Sequence, residues 1–357
     1  MKKKIYLATA LLATTSLAHA QSSVTLFGTV GGGVRWMNGT KGGSTVAYDN
    51  SIVANNNFGI SGTEDLGGGI KAIFQLQSPY FTSNGNFAKV VGGTPVMFAN
   101  AAWVGIDGNY GRLTFGRQFN AFEDTALALD PTNGRGQSIY NVPLVLIDTS
   151  PFSGFDSRFN NTVKYRNKFR GLTLDASYSF GGVAGNTRAG SNYAASALYQ
   201  FGTLLGGASY QRSYSADASQ WAQNVQAGAA WQVGPVRIYG NYTTFTVTGT
   251  AGAPERRDKV PDGGIVYQVT PSFQLTAAFY DDIASNLGNV PNANGHKVTY
   301  YAIAEYYLSK RTELYAQVDR NGLSGAYKTD PTNIAALGIA RGGSGVTGVS
   351  VGLMTQF

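Results

Sequence analysis

Cysteine is absent from all 357 residues, which excludes a disulfide framework and any thiolate metal site. Charge is scarce: Asp, Glu, Lys and Arg together make 13% of the chain, well under the quarter or so usual in soluble domains. Histidine occurs twice, as His19 and His296, so the commonest general base of hydrolytic enzymes is nearly missing. Beyond residue 20 no apolar run approaches the roughly 20 residues that a membrane helix needs; residues 143–147 (PLVLI) form the longest notable one. The triple glycine at 67–69 lies in a turn between two alternating segments, without the following helix that a nucleotide-phosphate loop requires. No metal-ligand spacing or cofactor motif is evident.

What the chain does have is glycine (47 residues), tyrosine (21 residues) and a mean hydropathy near zero, at −0.12. Apolar residues are therefore interleaved with small polar ones rather than pooled. At the N-terminus, Lys2, Lys3 and Lys4 precede an apolar stretch over 5–17 and an Ala18-His19-Ala20 cleavage pattern. That is the layout of a secretory leader, residues 1–20, with a mature start expected at Gln21. Without its three lysines the chain keeps 24 of 27 basic residues against 20 acidic ones, a charge of +4. This is too mild a surplus to point to nucleic acid.

From residue 22 onward the hydrophobicity alternates with period 2. Val24, Leu26, Val30, Val34 and Trp36 share one face, while Thr25, Phe27, Thr29 and Arg35 share the other. The rhythm returns over 57–64, 70–77, 99–106, 111–119, 158–166, 172–180, 193–201, 204–214, 224–233, 236–246, 263–269, 273–280, 296–308, 313–320 and 346–357, predicting sixteen strands. Connections alternate between tight turns (65–69, 107–111, 167–171, 202–204, 233–235, 270–272, 309–311) and long loops (38–55, 80–96, 120–157, 181–191, 215–222, 247–260, 283–295, 321–345). An even strand number with short turns at one end and long loops at the other predicts an all-β fold over 21–357, a closed antiparallel 16-stranded transmembrane β-barrel. Barrels of this size leave an aqueous lumen. A chain of soluble β-sandwiches would also alternate, but it does not explain the turn and loop lengths. Trp36, Trp103, Tyr178, Tyr193, Tyr199, Tyr210, Trp231 and Tyr306 are expected on or near the lipid side, as interfacial aromatics.

The third long connection, residues 120–157, has no sustained period and is too long for an ordinary link. It carries Phe122, Leu127, Leu129, Tyr140, Val142 and Leu144 among other apolar residues, and is flanked by arginine-rich strands. Such a segment folds against something. The expectation is an inward-folded loop that narrows the passage; the plainer alternative is a long surface lid.

Residues 22–28 (SSVTLFG), 58–76 (FGISGTEDLGGGIKAIFQL), 103–105 (WVG), 115–118 (FGRQ), 160–165 (NNTVKY) and the terminal Phe357 resemble the general porins of Gram-negative bacteria, particularly the proteobacterial trimeric type. The resemblance implies a homotrimer of sixteen-stranded barrels in the outer membrane, surrounded by lipid and lipopolysaccharide. Each barrel would pass small hydrophilic solutes and inorganic ions. It also implies that carboxylates of the inward loop face a basic ladder on the wall. By position the ladder includes Arg117 and Arg158, and strand parity adds Arg35, Lys71, Lys164 and Arg166. Arg117 breaks the parity of Leu113 and Phe115, so a bulge or a different register is required there. Asn55, Asn56 and Asn57 stand where the family often has an arginine, which leaves the ladder one charge short. The candidate loop acids are Glu123, Asp124, Asp130, Asp148 and Asp156.

A charged lumen sets selectivity without catalysis, and a weak anion preference is expected. Two other classes compete. An outer-membrane hydrolase would need a nucleophile and base, with only His296 or a carboxylate to serve. A substrate-specific channel would use the inward aromatics Phe27, Tyr239, Tyr280, Tyr301 and Tyr307 as a track, and an adhesin-like barrel would use its loops.

Overall fold

The computed structural model describes residues 22–88, 90–91, 94–136, 138–147, 151–152 and 157–357. The expected leader lies outside these residues. The period-2 segments form one closed antiparallel sheet of seventeen strands among the described residues. They are β1 (Ser23–Thr40), β2 (Gly43–Asp49), β3 (Asn57–Gly67), β4 (Ile70–Pro79), β5 (Ala101–Gly108), β6 (Gly111–Phe119), β7 (Arg158–Phe169), β8 (Leu172–Ser179), β9 (Asn192–Phe201) and β10 (Leu204–Tyr214). The circuit continues through β11 (Trp221–Val233), β12 (Val236–Val247), β13 (Arg256–Thr270), β14 (Phe273–Ser285), β15 (Gly295–Tyr307), β16 (Thr312–Leu323) and β17 (Gly345–Gln356). β17 pairs with β1 from Thr29↔Gln356 to Asn38↔Thr347. Gly28 and Phe357 exchange two backbone hydrogen bonds of 3.1 Å each, so β1 and β17 close the barrel and, among the described residues, this sheet has no free edge.

Seventeen strands make sixteen staves, because β2 and β3 are two halves of one. β2 pairs with the loop end of β1, and β3 pairs with its turn end. The expected loop over 38–55 is therefore corrected: residues 41–42 turn tightly, β2 follows, and residues 50–56 leave the wall. Ile52, Val53 and Ala54 are buried at 7, 2 and 6% exposure, and the first two pack with Val142 and Val145 of the long insert. β2 (GSTVAYD) has only Val46 and Tyr48 as outward apolar residues, too short an alternation between its glycine- and asparagine-rich flanks to mark a strand in the sequence.

Burial is inverted relative to a soluble sheet. Val34, Val104, Ile106, Val318 and Val351 are exposed, whereas Gln211, Asn224, Thr243, Gln317 and Asn321 are buried. An apolar exterior around a polar interior is the arrangement lipid imposes on a barrel. Trp103 departs from expectation. It stands opposite Gln75 on the inner face and lines the lumen with it.

The long insert enters the lumen. Helix α1 (Ala121–Ala128) starts at Asn120, whose side chain accepts from the Glu123 N–H. Asn120 also donates to Asn192 and Gln211 at 3.0 and 2.6 Å, and the Ala121 N–H donates to Ser177 at 3.0 Å, fastening α1 to the wall of β8–β10. The chain then follows the wall. Leu129 packs with Ala230 and Tyr239, the Asn241 amide donates to its carbonyl, and Arg135 meets Glu305 and Glu313. Asn141 bonds Gln317, and the short α2 (Leu144–Ile147) follows. Residues 324–344, which include helix α3 (Pro331–Leu337), fold over the loop end. Tyr327, Leu337 and Ile339 are buried there, with Ile139 and Tyr140 packed against them.

Candidate pore constriction

The insert lies along the wall from β8 round to β16, with a cavity of about 270 Å³ between it and β11–β15, lined by Arg135, Arg237, Tyr239, Glu305 and Tyr307 among others, and it leaves space beside β1–β7. Two cavities lie in that space. The one nearer the loops has a volume of about 430 Å³ and is lined by Arg35, Asp49, Asn55, Asn56, Tyr140 and Arg158, among others. The one nearer the turns has about 200 Å³ and is lined by Gln75, Trp103, Arg112, Asp124, Lys164 and Arg166, among others. Asn100 lines both, so the two are successive parts of one passage.

Of the expected basic residues, Lys164 and Arg166 stand where loop meets wall. Lys164 Nζ lies 2.7 Å and Arg166 Nη2 3.0 Å from Asp124 Oδ2, and Arg166 Nε lies 2.5 Å from Asp175 on β8. Arg35 is inward but held: it donates to both oxygens of Asp319 at 2.7 and 2.8 Å and to Ser350 at 2.9 Å, and its guanidinium lies 4.2 Å over the Tyr140 ring. Arg158 reaches the upper cavity from beyond a bulge. There Gly116 pairs with Thr162 but Gln118 pairs with Phe159, and Asn161 has φ 53°. The extra residue shifts the alternation, so the expected common face of Arg158, Asn160, Thr162 and Lys164 is broken. Arg158 donates to the Asn100 carbonyl and lies over the Phe119 ring at 4.2 Å.

Two basic residues are corrected. Arg117 pairs with Ala102, in the outward set with Val104 and Phe115, while its neighbour Gln118 takes the inner face. Arg117 bonds the Ala99 carbonyl and Asn160 and lines neither cavity. The bulge expected at this point falls on β7, so it does not turn Arg117 inward. Lys71 is inward by register, opposite Asp65 and Asp107, but it is exposed beside the turn at 68–69, away from the level of the insert.

Among the loop acids, Asp124 faces the basic wall. Asp130 points to the opposite side and accepts from the Tyr280 hydroxyl at 2.7 Å. Glu123 is fully buried. Asp148 and Asp156 lie outside the described residues. The reading from sequence missed Arg112, although parity with Leu113 places it inward. It lines the lower cavity and pairs with Asp107 at 2.6 Å. It also missed Arg135, where the expected polarity is reversed: a loop cation meets two wall carboxylates, at 3.0 Å from Glu305 and 2.6 Å from Glu313.

The two cavities together present five cations (Arg35, Arg112, Arg158, Lys164, Arg166) and two carboxylates (Asp49, Asp124). Asp175 and Asp319, with side chains 1 and 0% exposed, sit behind their arginines. The aromatic track is largely covered: Tyr239, Tyr280 and Tyr301 are 5, 2 and 3% exposed beneath the insert. His296 lies at the loop end of β15, half-exposed and bonded to Asp281, away from both cavities.

A closed sixteen-staved barrel with a loop folded into a charged lumen defines a porin-type channel. The sequence model of the Gram-negative porin family matches residues 8–326, and the chain belongs to that family. An outer membrane porin protein of Bordetella pertussis is 32% identical over 196 residues, covering 50% of this chain and 48% of that protein. Outer membrane porin protein 32 of Delftia acidovorans is 31% identical over 192 residues, covering 50% of each. The chain thus spans about half the length of the curated relatives it matches. Among solved structures, an anion-selective porin from Comamonas acidovorans superposes with a TM-score of 0.77 at 22% identity, covering 94% of this chain and all of that one. A trimer form of OmpT from Vibrio cholerae gives 0.70 at 13% identity, covering 94 and 99%. Both likenesses concern the fold.

Proposed function

We propose that residues 21–357 form one protomer of an outer-membrane homotrimer and that each protomer is a passive diffusion channel. Residues 1–20 are the leader that directs export and is cleaved. The channel carries small hydrophilic solutes and inorganic ions, with a weak preference for anions. The observation that carries this reading is the passage beside β1–β7, lined by five cations and two carboxylates. Like charges on a low-dielectric wall focus their field into the opening, whereas Asp175 and Asp319 act from behind their partners and reduce the preference without reversing it. The relatives named as outer membrane porins, the neighbour named as anion-selective and the neighbour solved as a trimer support the same reading.

The test is the purified protein in a planar bilayer under a tenfold KCl gradient. Stepwise conductance and a reversal potential favouring chloride are expected. Absence of steps would overturn the channel, and a potassium-favouring pore would overturn the selectivity.

A further inference from the structure

The cavity of about 270 Å³ against β11–β15 lies on the side of the insert away from the open passage. Its barrel side includes Gln232, Gln268 and Tyr307, all close to the tight-turn ends of their strands. Pro131, Thr132, Asn133 and Arg135 of the insert form the other side. Gln232 is exposed, so the cavity opens at the turn end of the barrel, and the insert divides it from the passage. The channel function leaves this space without a role.

Its charges are divided between two ends. At one end stands Arg237 on β12. Its guanidinium lies 5.2 Å over the Tyr239 ring, and it has no ion-pair partner among the described residues. At the other end Glu305 on β15 and Glu313 on β16 share a single nitrogen of Arg135, at 3.0 and 2.6 Å. Two carboxylates on one cation leave that end negative. Asp130 is engaged elsewhere, by Tyr280 and Thr132. Lys310 and Arg311, in the exposed turn beyond β15, do not line the cavity.

Register sets the distance between the ends. Arg237 pairs with Val266, Val266 with Thr276, and Thr276 with Ile303; Glu305 is the next inward residue after Ile303. Three strand spacings separate the two charged positions, about 14 Å along the wall, and the side chains reaching in from both shorten that gap. The floor between them is Val266, Thr276 and Ile303, and Val53 of the 50–56 segment joins it. Ligand pockets commonly run from about 300 Å³ upward, so the occupant is small. An α-amino acid carries both charges on one carbon and is too short to meet both ends. A dianion would set one charge against the carboxylates, and a diamine would set one against Arg237. The complement is a zwitterion with its charges apart and an apolar chain between them.

We propose that this cavity binds a small zwitterion of the ω-amino carboxylate type. Its carboxylate pairs with Arg237, its ammonium with Glu305 and Glu313, and its chain lies over Val266 and Ile303. A molecule seated there braces Pro131–Arg135 of the insert from the side opposite the passage. The site is off the conduction path and goes beyond the channel reading; only its opening toward the periplasm rests on that reading.

The experiment measures binding by isothermal titration calorimetry on the purified protein in detergent. The probe is 6-aminohexanoate, and the comparisons are hexanoate, hexylamine and glycine. Wild type is expected to bind 6-aminohexanoate at least about tenfold more tightly than any of the three, since each lacks one charged contact or the span. Arg237→Gln is expected to weaken 6-aminohexanoate binding by a similar factor. Glu305→Gln is expected to do the same from the other end. Should either variant fail to insert, the ligand series on wild type carries the test alone. Equal binding by wild type and Arg237→Gln overturns the proposal, because the molecule would then sit elsewhere. Hexanoate or hexylamine binding as tightly as 6-aminohexanoate overturns it too, by showing a site for one charge only, and glycine binding as tightly overturns the span. Conductance steps in a planar bilayer, recorded from the same preparation, report on the channel separately: absence of binding with steps intact overturns this proposal alone.

Discussion

Arg166 holds Asp124 of the loop and Asp175 of the wall at once, and Lys164 shares the Asp124 oxygen. These two cations do more than attract anions: they neutralise two carboxylates at the narrow part of the passage. Replacing both, as Lys164→Gln/Arg166→Gln, removes two of the five lining cations and leaves both acids without counter-charges. The reversal potential is expected to move to zero or past it. Arg117→Gln is expected to leave it unchanged, because that side chain is on the outer face opposite Ala102. A double variant as chloride-preferring as wild type, or a shift caused by Arg117→Gln, would contradict this placement. Family position singled out Arg117; strand register, read outward from Leu113 and Phe115, singles out Arg112 instead. The register is the better guide because side-chain direction alternates with period 2 wherever the ladder is unbroken.

Among elements, β11 shows what the inner face is for. Ala229 faces outward, paired with Gly206 and Gly240, while Ala230 is 1% exposed and packs with Leu129 of the insert. Alternation alone marks Ala230 as a lumen position that would accept an arginine. The packing removes that freedom. Ala229→Arg puts a charge against lipid and is expected to cost about 2–4 kcal/mol at mid-depth. Ala230→Arg is expected to leave the barrel folded but to dislodge the insert at Leu129, since a filled core site does not admit a larger side chain without movement. Unfolding in lipid would separate the two by stability, and single-channel recording would show altered conductance for Ala230→Arg alone. Equal stability, or an unaltered conductance for Ala230→Arg, would refute the register or the docking.

Over the whole molecule, charge is arranged by side. Basic residues line the open passage beside β1–β7, and Glu305 and Glu313 on β15 and β16 share one cation, Arg135 from the loop. The field across the passage therefore comes from incompletely cancelled charges in water. It should be screened over about 10 Å at 0.1 M salt and about 3 Å at 1 M. The chloride preference is expected to fall steadily as the mean KCl concentration of a fixed tenfold gradient is raised. A preference independent of salt would point to size or dehydration instead.

The sequence by itself determined the barrel: period-2 alternation placed sixteen staves, and Phe357 closes on Gly28 as the matched ends required. These are local properties, since each strand carries its own two-faced pattern and each turn its own length. It also marked residues 120–157 as an insert rich enough in apolar side chains to fold. Only the tertiary structure decided which charges meet. Asp124 faces Lys164, Asp130 faces Tyr280, and Arg135 faces two acids, because an aperiodic segment takes its direction from the wall it packs on. The same holds for residues 50–56, whose inward path depends on Val142 and Val145, some ninety residues away in the chain.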